Sequence, residues 1–269
     1  MEMIMSFYER VAGDYLELAS DQRLEILFRL QQQDSRITQM ANKIGSTKQE
    51  VHRNFSRLID SGLIAKNTDS GYYLTTYGKT ICTQVPTLMF FADNKHYFED
   101  HIFGDIPNKF IMRVGQLSNG ERIKGVTKVL EECKSIYNNA EEYVYEILAE
   151  LSLERLSTLA AKTKGDVKLS YIASESSVVP KGRKKLIEKL GWRKLIVKGC
   201  IERKMKRQVQ TMLILNEKEA CLMFPRINGE VDLSEAFWSD KESFHEWCVD
   251  YFRYSWDTAG TWQESKLNE

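Results

Sequence analysis

Between positions 4 and 19 the apolar residues Ile4, Phe7, Tyr8, Val11, Tyr15, Leu16 and Leu18 recur at helical spacing, predicting an amphipathic helix. Ser20 then offers an N-cap oxygen, and Asp21 occupies the first turn of a second helix carrying Leu24, Ile26, Leu27, Phe28 and Leu30. The polar run Gln31–Asp34 ends it. A short third helix is predicted after Ser35, with Ile37, Met40, Ala41 and Ile44 on one face. Gly45 suits the sharp turn of a helix-turn-helix. A fourth helix, capped by Ser46 or Thr47, runs to about Ser61 and turns Val51, Phe55, Leu58 and Ile59 inward. Its opposite face carries Lys48, Gln49, His52, Arg53 and Ser56, with Arg57 at the flank. Gly62 ends it as a C′ residue would. Leu63–Lys66, a polar turn over Asn67–Gly71 and Tyr72–Leu74 then predict a two-stranded hairpin.

Charge sharpens this picture. Lys and Arg together equal Asp and Glu at 38 each, so the chain has no net charge and, taken whole, does not look like a nucleic-acid binder. Between Ser35 and Cys82, however, seven cations face three anions. A cationic, amide-bearing helix face behind a helix-turn-helix is suited to a major groove, where arginine, lysine and glutamine reach base edges and cations neutralise phosphates. Thr47, Lys48, Gln49, His52 and Arg53 are the candidate base or near-base contacts, and Arg57, Lys66 and Tyr72 the candidate backbone and wing contacts. The expected partners are double-stranded DNA and a second copy of the chain, two recognition helices reading an imperfect palindrome. A module used only for protein contacts is the alternative.

The stretch 20–75 resembles the winged-helix family of bacterial and archaeal regulators. The residues that carry the resemblance are Ile44-Gly45-Ser46-Thr47, Val51 through Leu58, and Ser61-Gly62-Leu63-Ile64. After the hairpin, Thr75 or Thr76 caps a helix with Tyr77, Ile81, Cys82 and Val85, and Pro86 must kink or restart it. In such regulators the flanking helices often pair between subunits. The apolar faces of 4–19 and 77–91 are therefore dimerisation candidates, with packing on their own domain as the equal alternative.

From Asp93 the chain changes character. Short β-rich runs at 143–148 and 167–173 flank a helix at 152–164. A basic helix at about 180–190, strands at 196–202, 209–215 and 220–225, and a last helix from Asp240 to about Trp256 follow. The expected fold class is α+β, with an N-terminal winged helix-turn-helix over 1–92 and a mixed α/β effector domain over 93–269. Tyr97-Phe98-Glu99-Asp100-His101, Asp105-Ile106-Pro107, Arg113 through Leu117, and the ending from Phe244 to Trp256 resemble the effector domain of archaeal winged-helix regulators. These include the methanogenesis and filamentation regulators of methanogens. The resemblance implies an archaeal source, a role in transcription control, and an effector domain distantly similar to the phospholipase D fold. It assigns no ligand residues. A small-molecule or anionic effector is the remaining candidate partner.

Several chemistries are not expected. No apolar run approaches membrane-helix length, and Met1–Arg10 has no basic n-region, so neither a membrane span nor a signal peptide is predicted and the protein is placed in the cytoplasm. Cys82, Cys133, Cys200, Cys221 and Cys248 show no CxxC pair and no disulfide framework. A thiol-based redox sensor is an alternative reading, with Cys200 in the most cationic region as its first candidate. A phospholipase D nucleophile needs a lysine two residues after its histidine, whereas Asn54, Phe98, Phe103 and Trp247 follow His52, His96, His101 and His245. Tyr73 stands where a P-loop ending in Gly78-Lys79-Thr80 would open with glycine. His96 and His101 project about 140° apart on a helix, a poor geometry for sharing a metal. No enzyme activity, cofactor or metal is expected. Lys181–Arg207 carries twelve cations against two anions, and 217–269 twelve anions against five cations. These are solvated faces of opposite sign that meet, or an anion pocket or second DNA contact on the basic stretch.

Overall fold

A computed structural model of the chain describes residues 2–177 and 179–267. It divides into two compact units, Met1–Pro86 and Thr87–Glu269.

The first unit begins with α1 (Glu2–Leu18), α2 (Asp21–Gln32), α3 (Ile37–Ile44) and α4 (Lys48–Asp60). The hairpin strands β1 (Ile64–Lys66) and β2 (Tyr72–Leu74) follow, then α5 (Thr76–Cys82). Local chemistry sets the boundaries. The Ser20 hydroxyl accepts the Arg23 amide, Thr47 caps α4, and the Thr75 hydroxyl accepts the Gly78 amide at 3.0 Å. Gly45 ends α3 at φ 64°. At the end of α4, Leu63 N bonds Leu58 O and Gly62 N bonds Ile59 O, a Schellman arrangement with Gly62 at φ 72°. The cap of α3 is Arg36; Ser35 is buried and exchanges both backbone bonds with Tyr72, an isolated bridge against β2. Ile26, Leu27, Met40, Val51, Phe55, Leu58 and Leu63 form the dry centre. Ile59, expected inside, is 40% exposed. The helical stretch 77–91 restarts near Pro86 as predicted, giving α5 and α6 (Val85–Asp93), with Pro86 in the first turn of α6, where its missing N–H costs nothing.

The second unit runs α7 (Asn108–Ile111), β3 (Glu121–Lys124), α8 (Val126–Asn139), β4 (Tyr143–Leu148), α9 (Glu154–Lys164) and β5 (Lys168–Ser174). It continues through α10 (Arg183–Leu190), α11 (Trp192–Val197), β6 (Ile201–Lys206), β7 (Met212–Asn216) and β8 (Ala220–Met223). Last come β9 (Glu235–Ser239), α12 (Glu242–Thr258) and β10 (Gly260–Thr261). The strands form one mixed sheet in the order β10-β6-β5-β4-β7-β8-β9-β3. β4, β5 and β6 are parallel, with α9 and then α10–α11 as crossovers; the remaining pairs are antiparallel. β5, the middle one of the three parallel strands, is buried on both faces from Leu169 to Ser174. One face packs with α8, α9 and α11 around Val144, Tyr171 and Trp192. The other packs Ile147, Leu213 and Phe237 against α12 and the aromatic stretch from Phe90 to Phe110.

Mixed α+β architecture is thus borne out. The predicted strand at 196–202 is corrected at its start: Ile196 and Val197 close α11, Gly199 turns at φ 74°, and β6 begins at Ile201. Among the described residues no helix is long and apolar enough to cross a membrane.

Candidate nucleic-acid interface

The fourth helix is held by reciprocal bonds at its start. Thr47 Oγ1 accepts the Glu50 amide at 3.2 Å, and Glu50 Oε2 accepts the Thr47 amide at 3.1 Å and the Ser46 hydroxyl at 2.8 Å. The hydroxyl and amide donors on Glu50 keep its carboxyl below the usual range, so at neutral pH the cap is a carboxylate. Val51, Phe55 and Leu58 bury one side, and Asn54 joins them by donating to Gln22 Oε1 at 3.0 Å. That leaves Thr47, Lys48, Gln49, His52 and Arg53 exposed on the outward face. The structure brings these five together as the sequence pattern predicts.

The flanking candidates differ. Arg57 is exposed, yet both ends of its guanidinium hold Glu17 of α1, at 2.6 and 3.0 Å. Lys66 is exposed at the end of β1. Tyr72 lies half-buried, its ring edge-on to Phe55 with centroids 4.6 Å apart. It shares the inward face with Ile64 and Leu74, whereas Tyr73, on the opposite face, is the exposed hairpin aromatic. Strand parity, not residue type, separates the two tyrosines. The hairpin tip is tied down as well. Asn67 Oδ1 accepts the amides of Asp69 and Gly71 at 3.1 and 2.7 Å, and Arg36 donates to Asp69 O at 3.1 Å.

The other histidines lie in the second unit, and two of them pack within it. His101 is buried, stacks on Tyr97 at 3.8 Å, and places its ring nitrogens against Tyr97 O at 2.9 Å and Asp232 Oδ2 at 3.0 Å. His96 pairs with Glu99 at the surface, and His245 Nε2 meets Asn216 O at 2.7 Å. Among the described residues no group of three His, Cys, Asp or Glu is placed to hold a metal ion. Cys82, Cys133, Cys221 and Cys248 are buried and Cys200 is half-buried. Burial raises the Cys82 and Cys248 thiols, and the Cys221 thiol is raised chiefly by its hydrogen bond with Cys133, with burial adding to it. The basic and acidic segments meet inside the second unit. Glu264 takes Arg183 at 2.6 Å and Arg203 at 2.9 Å, and Lys204 donates to Trp256 O at 2.8 Å.

Three helices, a capped outward helix and a two-stranded wing define a winged helix-turn-helix. Residues 17–93 match the family described as methanogenesis regulatory protein FilR1, N-terminal domain. The resemblance drawn from the Ile44–Thr47 and Val51–Leu58 segments is borne out by that match. No curated protein matches the chain. Among solved structures the chain is similar to TrmBL2, an archaeal chromatin protein, at 9% identity and a TM-score of 0.40, covering 85% of this chain and 88% of that one. It is also similar to Nuc, a phospholipase D family member from Salmonella typhimurium, at 12% identity and a TM-score of 0.39, covering 54% and 99%. An O-methyltransferase family protein from Burkholderia thailandensis follows at 13% identity and a TM-score of 0.29, covering 76% and 63%.

Proposed function

We propose that this chain is a sequence-specific, DNA-binding regulator of transcription. Its first unit binds the operator and its second responds to a signal. The observation that carries this reading is one surface. Lys48, Gln49, His52 and Arg53 stand together and exposed on a capped helix, in the locally cationic part of a neutral chain and within the match to a regulatory domain. An interaction-only module has no reason to keep that face cationic.

The acting species in this proposal is a homodimer. Tyr15 and Leu16 of α1, and Leu88 and Met89 of α6, are each about half exposed or more, apolar surface that pairing would cover. Selection from a random pool of duplex DNA tests the reading. The expected outcome is an imperfect palindrome with half-sites centred about one helical turn, roughly 10 base pairs, apart. A pool that stays unenriched at low salt rules the reading out.

A further inference from the structure

A cavity of about 490 Å³ opens between α8, the start of α9 and the sheet. It lies where β4 changes partners, parallel to β5 on one side and antiparallel to β7 on the other, at the carboxyl end of β4. Crevices at such switch points are where open α/β sheets take ligands. Its volume is in the range of small-molecule sites.

The inner wall is apolar and soft, with Cys133 from α8, Leu148 from β4, Met212 and Ile214 from β7, and Met223 from β8. Two buried polar side chains interrupt it, Tyr137 and Arg155. Arg155 is nine-tenths buried and pairs with the fully buried Glu146, whose other oxygen accepts the Tyr137 hydroxyl at 2.7 Å. Its guanidinium lies 5.2 Å from the Tyr171 ring, and among the described residues its buried Nε–H has no hydrogen-bond partner. A buried donor without an acceptor is uncommon in a settled core. The rim carries Glu131, Glu150 and Glu154 against Lys134. Glu146 already balances the charge of Arg155, so the wall offers a donor and no net positive charge, while the rim repels anions.

We infer that this cavity binds an uncharged, largely apolar small molecule carrying a carbonyl-type acceptor for Arg155. Such a ligand would bridge α8 and α9, helices joined to the sheet from different strands, and so would fix their spacing. Its use as the signal input rests on the regulator reading above; its occupancy does not.

The test uses the full chain and the neutral dye Nile red, itself a ring ketone. Saturable, blue-shifted emission is expected. Leu130, half exposed at the mouth, accepts substitution without disturbing the core. Leu130→Trp should weaken Nile red binding about tenfold or more by filling the entrance. Three competitors with one ring body then read the chemistry. 2-Acetylnaphthalene should displace the dye about tenfold better than either 2-ethylnaphthalene or 2-naphthoate, for lack of an acceptor in the one and for charge in the other. Binding that Leu130→Trp leaves unchanged overturns the site, and so does a chain that does not bind the dye. A carboxylate or hydrocarbon that matches the ketone overturns the ligand class. None of these readouts involves DNA, so a failed operator selection and a failed cavity remain distinguishable.

Discussion

Arg57 clasps Glu17 with both ends of its guanidinium, Nε to Oε2 at 3.0 Å and Nη2 to Oε1 at 2.6 Å, so the flank of α4 is tied to α1. The hydrogen bond from Arg57 is the main reason the Glu17 carboxyl sits below its ordinary value of 4.5, with the charges of Arg23 and Arg57 adding to it. The sign of the pH dependence follows. A carboxyl depressed in the folded state stabilises it above the ordinary value, and that contribution is lost as pH falls through the lower, folded value. Glu17→Gln should therefore flatten the acid limb of the unfolding profile, measured by thermal melts from pH 7 downward. A melt series that keeps the parent's acid slope contradicts it. The same substitution frees Arg57. If Arg57 faces a phosphate, the salt dependence of DNA binding should steepen by about 0.9 in the log–log slope, the increment for one phosphate contact.

Arg53 carries the sharpest expectation on the DNA side. It is exposed in the second turn of α4, on the side opposite Val51 and Phe55. Arg53→Ala should weaken binding to the selected operator by about 1–3 kcal/mol while non-specific binding falls much less. Fluorescence anisotropy with operator and scrambled duplexes separates the two. Equal losses on both duplexes would reassign Arg53 to the phosphate backbone.

The sequence spoke most clearly where structure is decided within one helical turn. Ser20, Thr47 and Thr75 cap as their positions predict, and Gly45 and Gly62 take the left-handed turns that L side chains avoid. It spoke least where a partner lies far along the chain. Asn54 reads as a polar surface residue and is buried because Gln22 receives it; Ile59 reads as core and meets solvent. Tyr72 and Tyr73 are indistinguishable by type, and only pairing with β1 decides which faces inward. In the second unit, β3 pairs with β9 more than a hundred positions later, a contact that no local period encodes. α8 carries a local signal of its own: Val129, Cys133, Ile136 and Tyr137 repeat at helical spacing, and all four are buried.

Gly78 fixes how closely α5 can approach the chain just past the end of α4. A Cβ built there would lie 2.0 Å from the carbonyl oxygen of Leu63, and that carbonyl is already held by the Thr75 amide at 3.1 Å. Backbone cannot yield as a side-chain tip can. Gly78→Ala should destabilise the first unit by on the order of 3 kcal/mol. Hydrogen–deuterium exchange should show faster exchange across 21–82 and unchanged protection in the central strands of the second unit. Parent-like exchange over 21–82 would show that α5 is free to move outward.

Glu146 and Arg155 pose the opposite case, a charged pair inside the second core. Burial pulls the guanidinium down, but the Glu146 carboxylate beside it outweighs that and holds Arg155 above its ordinary value. Burial likewise pushes the Tyr137 hydroxyl up, reinforced by the Glu146 charge, so Tyr137 remains a donor to that carboxylate at neutral pH. Removing one partner strands the other in a dry site. Arg155→Met alone should cost about 3–5 kcal/mol, whereas Glu146→Leu together with Arg155→Met should recover most of it, because two apolar side chains need no desolvation. Trp192, fully buried in the same core, reports unfolding in denaturant by its fluorescence. A double variant no more stable than Arg155→Met alone would mean that the cost is lost packing, and that the ion pair is incidental to the fold.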